Sequence, residues 1–280
     1  MNWFQLSLLS AILMTVRGLL ARFLLRNKGD ARGFTILHDF FAGIAIIPFF
    51  FIYGFKFPPA IIPILGLLVA TLVYAVGDIT NIKSYQLEEA SIVTPLIKLR
   101  VIIVLVGSAV FLHESITWLK LLAIIFVLCG SIIIGFEKGK FVFSKGVKYS
   151  LLSAFFLGCA FLLDKAFVVN YSLPVYMSTI LFLPALWILI STKNGLQRSI
   201  NELKLQKWGV VIAGLFFGWA LFAFLAAISK GEVSRSTAVV ELSLVFIAVG
   251  GYVFLNERKK LWQKIIGSLL ILVGVLLVKI

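Results

Sequence analysis

The chain is short of charge, cysteine and histidine. Only 14% of its 280 residues are Asp, Glu, Lys or Arg, against about a quarter in soluble globular domains, so there is too little polar surface to cover a water-soluble fold of this length. Its two cysteines, Cys129 and Cys159, lie inside apolar runs, which excludes a disulfide-stapled secreted domain. Its two histidines, His38 and His113, supply neither a metal ligand set nor a nucleophile–histidine arrangement, His113 being in a loop. Two facing aspartates would be needed for an intramembrane aspartyl protease, and Ala75-Val76-Gly77-Asp78 lacks the first glycine of Gly-x-Gly-Asp. No Gly-rich loop ending in Gly-Lys-Ser/Thr is present to cradle a nucleotide. The sequence therefore predicts no enzyme, no cofactor and no metal.

What the chain has is hydrophobic length: 61% of it is hydrophobic and its mean hydropathy is +1.08. A helix crosses a bilayer core with about 20 apolar residues. Ten such runs can be read, at about 4–25, 34–53, 59–82, 90–112, 117–136, 147–169, 174–191, 207–229, 236–255 and 262–279. The first begins at Trp3 with no basic stretch before it and no small-residue cleavage site, so it reads as a retained span. The expected fold is an all-α integral membrane protein.

The runs repeat. Ser7-Leu8-Leu9-Ser10-Ala11 recurs as Ser150-Leu151-Leu152-Ser153-Ala154, and Val110-Phe111-Leu112-His113-Glu114 recurs as Val253-Phe254-Leu255-Asn256-Glu257, both at an offset of 143. Ser91, Thr94, Leu99 and Gly107 match Ser234, Thr237, Leu242 and Gly250 at that offset; one insertion then aligns Trp118 with Trp262 and Gly130 with Gly274. Two units, 1–138 and 147–280, each hold five spans, and an odd number inverts the second copy in the membrane.

The basic residues support inversion. Net charge is +14, and cations hold loops on the cytoplasmic side. Arg22, Arg26, Lys28 and Arg32 after span 1 face Lys165 alone in the equivalent loop; Lys193, Arg198, Lys204 and Lys207 after span 7 face Lys56 alone. Arg258, Lys259, Lys260 and Lys264 after span 9 face Lys120. The charge is thus topological, and no nucleic-acid partner is expected.

Two five-span repeats, each with a fourth span ending in an apolar run and Glu ahead of a Gly-bearing fifth, resemble the drug/metabolite transporter superfamily, and within it the EamA-like group. The residues that carry the likeness are Glu89-Ala90-Ser91-Ile92-Val93-Thr94-Pro95-Leu96, Phe111-Leu112-His113-Glu114 and Gly130, then Glu232-Val233-Ser234, Phe254-Leu255-Asn256-Glu257, Gly267 and Gly274. The resemblance implies ten transmembrane helices as two inverted repeats, and a multi-pass cell-membrane exporter of amino acids, other metabolites or drugs that needs no nucleotide. It also implies both termini in the cytoplasm. The charge distribution departs from this: seventeen of the 26 cations lie after odd-numbered spans, which places the termini outside.

Three cations, Arg17, Lys98 and Arg100, fall inside spans, where ionisable groups face a bundle interior or a wet cavity. Lys98 stands at the offset of Glu241, so the halves set opposite charges at matching places in spans 4 and 9. Either Lys98 receives an anionic group and Glu241 an ammonium or the coupling proton, or the two form a structural ion pair. Pro95 is expected to kink span 4 beside Lys98. Arg100 lies on another helix face, as partner for an acid on a neighbouring helix. Arg17 is off the small-residue stripe Ser7, Ala11, Thr15 and is a cavity candidate; the stripe and its match Ser150, Ala154, Gly158 are expected to pack helices. Tyr74 and Trp219 are further substrate-binding candidates. His38, Asp39 and Asp78 are candidates for proton coupling or for solvation at span ends. Glu114 and Glu257 are expected to cap the helices that follow them.

The function expected is a secondary transporter exporting a small polar or zwitterionic metabolite such as an amino acid, as a monomer or homodimer in the lipid bilayer, with protons a possible coupling ion. A polyspecific exporter of lipophilic cations, a lipid-linked sugar flippase and a non-transporting membrane scaffold are the alternatives.

Overall fold

The computed structural model describes residues 1–25, 29–58, 60–87, 96–97, 99–135, 144–254 and 261–279. Every regular element among them is helical. In hydrocarbon a backbone must satisfy its own N–H and C=O groups, and a helix does this within one segment. The helices are α1 (Trp3–Leu25), α2 (Ala31–Ile46), a short 3-10 turn (Ile47–Phe49), α3 (Phe50–Tyr53), α4 (Ile61–Leu87), α5 (Arg100–Phe111), α6 (Trp118–Gly135), α7 (Lys145–Phe167), α8 (Leu173–Ser191), α9 (Gly195–Gln206), α10 (Trp208–Lys230), α11 (Val233–Val240), α12 (Leu242–Phe254) and α13 (Leu261–Lys279). Their starts follow local chemistry. Asp30 caps α2 by accepting the Arg32 N–H at 3.1 Å, and Ser144 caps α7 by accepting that of Val147 at 3.2 Å.

Among the described residues, six stretches are long and apolar enough to cross a membrane: Trp3–Leu20, Ala31–Tyr53, Ile61–Asn81, Lys145–Asn170, Leu173–Ser191 and Trp208–Lys230. Shorter apolar helices cover Arg100–Phe111, Trp118–Gly130 and Ile265–Gly274. Most of the runs read from the sequence coincide with these elements. Much of the fourth lies outside the described residues, and the ninth is interrupted at Glu241, between α11 and α12.

One expectation is corrected. The segment between spans 7 and 8, read as a loop, is the helix α9, bracketed by the positive-φ residues Asn194 (57°) and Lys207 (50°). A search for apolar runs misses it because its pattern is amphipathic. Leu196, Ile200 and Leu203 are exposed, while Ser199 and Glu202 are buried; Gly33 of α2 abuts the backbone of Arg198 and the side chain of Glu202. A helix with its apolar face outward and its polar face on the bundle suits a membrane interface.

Close approaches between helices come in matched pairs. Gly66 of α4 packs on Phe167 of α7, and Gly209 of α10 packs on Leu24 of α1. Gly107 of α5 meets Leu162, and Gly250 of α12 meets Leu19. In α6 and α13, Gly130 lies on the carbonyl of Gly267 and Gly274 on the carbonyl of Ala123. Each first contact maps onto its mate by the sequence offset, so the repeats pack about an approximate two-fold axis with α6 and α13 at its seam. The expected packing stripe follows the same rule. Ala11 joins Val239, Leu242 and Val245 in one apolar cluster, and Gly158 packs on Ile103.

Candidate functional site

Glu241 occupies the single-residue interruption between α11 and α12, and its side chain is fully buried. Its Oε1 accepts a hydrogen bond from Nη2 of Arg100 at 3.0 Å, and the Arg100 side chain is 15% exposed. Arg100 is the first residue of α5; Leu99 before it has φ −58°, ψ −13°, nearly the −64°, −13° of Glu241. The ion pair therefore joins the start of α5, in the first repeat, to the interruption between α11 and α12 in the second. The Arg100 guanidinium also sits 5.1 Å from the centroid of the Phe161 ring. An isolated carboxylate this deep would be very costly, and a bonded cation offsets the cost. Lys98 and Pro95 lie outside the described residues, so the acid's described partner is Arg100, and it is Arg100 that takes the place of a cation for an acid on another helix.

The second polar group belongs to spans 1 to 3. Arg17 donates from Nε to Nε2 of His38 at 3.0 Å, and Nδ1 of His38 lies 2.8 Å from Oδ1 of Asp39. His38 and Asp39 are 1% and 5% exposed. Asp78 on α4 lies within electrostatic reach of both Asp39 and Arg17. The reading of His38, Asp39 and Asp78 as span-end residues solvated at the interface is overturned for the first two. The helix begins at Ala31 rather than near 34, which carries both deep into the bundle against α10. There Gly214 and Gly218 of α10 touch the α2 backbone at the His38 and Ala42 carbonyls, leaving no room for a side chain.

Tyr74 points elsewhere. Its hydroxyl donates to Oδ2 of Asp164 at 2.5 Å, and Tyr176 donates to Oδ1 at 3.0 Å. Asp164 is fully buried, and sequence reasoning missed it. It stands beside Lys165 near a span end and has Ala21 at the repeat offset, so only its position within an apolar run marked it. Lys165 donates to the carbonyls of Ile228 and Gly231, each at 2.6 Å, fastening the end of α7 to that of α10. Trp219 is 40% exposed and donates its indole N–H to the Ala45 carbonyl at 3.3 Å.

Glu114 is a cap, but not of the helix that follows it. Its Oε1 accepts the backbone N–H of Val233 at 2.9 Å and its Oε2 the hydroxyl of Ser234 at 2.7 Å, so it caps α11, in the other repeat. Sequence proximity suggested α6; the fold brings α11 to it. Nearby, Glu232 pairs with Lys120 at 2.9 Å and Arg235 at 2.7 Å. Glu257 lies outside the described residues. A groove of about 240 Å³ between α5 and α7, lined by residues including Ile102, Ile103, Leu151 and Phe155, offers only hydrocarbon.

At the end of α2 farther from these groups, Arg198 of α9 makes two hydrogen bonds to the Asp30 carboxylate, that from Nη2 at 2.8 Å. Burial pushes the Asp30 carboxyl up, but the Arg198 bond and charge, with the backbone N–H groups of Arg32 and Gly33, outweigh it and hold the group below its ordinary 3.8. Glu202 accepts the Asp30 N–H at 2.8 Å.

No curated protein matches the chain. A solved structure described only as a protein crystal structure shares 12% identity, covering 99% of this chain and 98% of that one with a TM-score of 0.74, which shows a common fold. The EamA-like transporter family model matches twice, over residues 1–136 and 144–280. Those two matches meet where the two-fold contacts divide the bundle, and the chain accordingly belongs to the EamA-like transporter family, as a multi-pass membrane protein of drug/metabolite transporter type.

Proposed function

We propose that the protein is a secondary transporter that exports a small polar or zwitterionic metabolite, an amino acid being the simplest case, by alternating access through the seam between its repeats. The observation that carries this reading is the Arg100–Glu241 pair at the interruption between α11 and α12. Interrupted helices at a repeat interface are where transporters of inverted-repeat design hold substrate. A zwitterion can exchange partners with such a pair, its carboxylate taking Arg100 and its ammonium taking Glu241, so that no charge is left bare in low dielectric. Lys98, at the offset of Glu241, belongs to the same proposed site.

Ten spans, the second five inverted, with both termini outside, complete the reading. The cation distribution supports that orientation, and α9 would then lie on the cytoplasmic surface. A cysteine replacing the exposed Lys204, in a background without Cys129 and Cys159, should resist membrane-impermeant maleimide in intact cells; ready labelling reverses the orientation.

The substrate site is tested in proteoliposomes by counterflow of a radiolabelled amino-acid mixture. Glu241→Gln and Arg100→Gln should insert normally and lose transport. Wild-type rates in both would remove the pair from the site.

A further inference from the structure

The line Arg17–His38–Asp39 takes no part in the ion pair at the seam, and its hydrogen bonds fix its protonation. Arg17 Nε can only donate, so His38 Nε2 holds the lone pair and Nδ1 carries the hydrogen, which it donates to Asp39. The imidazole is neutral and lies between two rings, Phe34 at 5.8 Å and Phe217 at 4.5 Å between centroids. Oδ2 of Asp39 is buried with no hydrogen-bond partner among the described residues. Among the described residues, Asp78 of α4 is the further ionisable group within electrostatic reach of Asp39 and Arg17; α10 presents Phe217, which lies 5.1 Å from the Arg17 guanidinium.

The second repeat shows that the fold does not require these groups. At the offset of 143, Arg17, His38, Asp39 and Asp78 correspond to Ala160, Leu181, Phe182 and Leu221, and the first, second and fourth of these are buried core residues. Equivalent positions in equivalent packing are filled there with hydrocarbon, so a buried relay in the first repeat is not needed for scaffolding.

We propose that His38 is the proton-coupling site of the transporter, with Arg17 as its latch. This rests on the transport reading above. A proton can bind His38 only at Nε2, the lone pair that Arg17 Nε–H now occupies, so the proton and the latch are mutually exclusive. Uptake of one proton converts the imidazole to imidazolium paired with Asp39 and drives the Arg17 guanidinium toward Asp78; release restores the present bond. Arg17 then transmits the change. Its neighbour Gly18 packs on Ile247 and the next residue, Leu19, on Gly250, both on α12, the helix that starts immediately after Glu241. Protonation thereby loosens α1 from α2 on the side that bears on the substrate pair.

The test uses the full chain in proteoliposomes with a radiolabelled amino-acid mixture, comparing counterflow, which needs no coupling, with uptake driven by an imposed pH gradient. Wild-type protein should show both, the gradient raising uptake severalfold; His38→Gln and Asp39→Asn should keep counterflow and lose the gradient's effect. Gradient-driven uptake unchanged in His38→Gln overturns the proposal while leaving transport intact, whereas absence of counterflow in wild-type protein overturns the transport reading itself. A second measurement does not depend on substrate or on folding of the His38 variant. In His113→Asn, ¹⁵N-histidine NMR sees His38 alone: a pure Nδ1–H tautomer at neutral pH that gains a second proton in acid, and a tautomer mixture once Arg17→Gln is added. A His38 that takes up no proton across about pH 5–8 ends the proposal.

Discussion

The two repeats are built on one set of helix contacts and filled with different chemistry. Gly66 on Phe167 answers Gly209 on Leu24, Gly107 on Leu162 answers Gly250 on Leu19, and Gly130 on Gly267 answers Gly274 on Ala123. Where the first repeat buries His38 and Asp39 beside a half-buried Arg17, however, the second has Leu181, Phe182 and Ala160. Close approach depends on backbone geometry and on the absence of side chains, so duplication preserves it. A buried ionisable group is costly unless it is bonded, so its presence in one copy alone is what the proposed coupling role accounts for. Symmetry here reports the scaffold, and the proposed coupling site lies where the copies differ.

The largest effect is expected from breaking the symmetric seam. Gly274→Leu forces a branched side chain onto the Ala123 carbonyl and the Val127 side chain; overpacking of this kind costs about 1–3 kcal/mol or more, and its mate Gly130→Leu should behave alike. Size-exclusion profiles and thermal unfolding in detergent should show both variants aggregated or far less stable, and a tolerated leucine at either place would contradict the shared packing. Next comes the ion pair that joins the halves. Arg100→Leu alone removes the guanidinium bonded to the buried Glu241 and should destabilise by about 3–5 kcal/mol, whereas Arg100→Leu with Glu241→Leu should recover most of that loss without recovering transport. Recovery of neither would make the pair a structural requirement.

The sharpest test makes the repeats alike in content. Arg17→Ala, His38→Leu, Asp39→Phe and Asp78→Leu together transplant the residues of the second repeat. Replacing buried charges with packed hydrocarbon ranges from neutral to stabilising by about 1–4 kcal/mol, so the melting temperature should hold or rise while gradient-driven uptake disappears; collapse of the fold would show the relay to be structural. The smallest effect lies at Asp30–Arg198. Because the folded carboxyl is held below 3.8, its contribution is complete above that pH and is lost as pH falls through the depressed value. Arg198→Gln should erase this acid limb from a plot of melting temperature against pH, by about 1 kcal/mol or less, since both partners are partly exposed.

Much of this was legible before any coordinates. Hydropathy located most of the helices because a bilayer demands long apolar segments, and the repeat offset paired Gly107 with Gly250 and, after one insertion, Gly130 with Gly274, without saying what each would meet. The site was legible in part. Glu241 stood out as an acid within a span, but its partnership with Arg100 depends on how α5 and α11 approach, which no spacing along the chain encodes. His38 and Asp39 looked interfacial because the apolar run begins only near residue 34; the Asp30 cap and its clasp by Arg198 start the helix earlier. Asp164 was hidden because its hydroxyl donors, Tyr74 and Tyr176, come from two other helices.

By itself, then, the sequence determined the membrane class, the duplication and the division of charge between loops, since these follow from local composition and from comparing the chain with itself. The tertiary structure alone decided the polar partnerships: Arg100 with Glu241, Arg17 with His38, Asp164 with its tyrosines and Glu114 with the opposite repeat. The physical reason is the low dielectric of the bundle. There a buried charge must find its complement at about 3 Å, and for all but the His38–Asp39 neighbours that complement stands on a different helix, set by packing rather than by sequence separation.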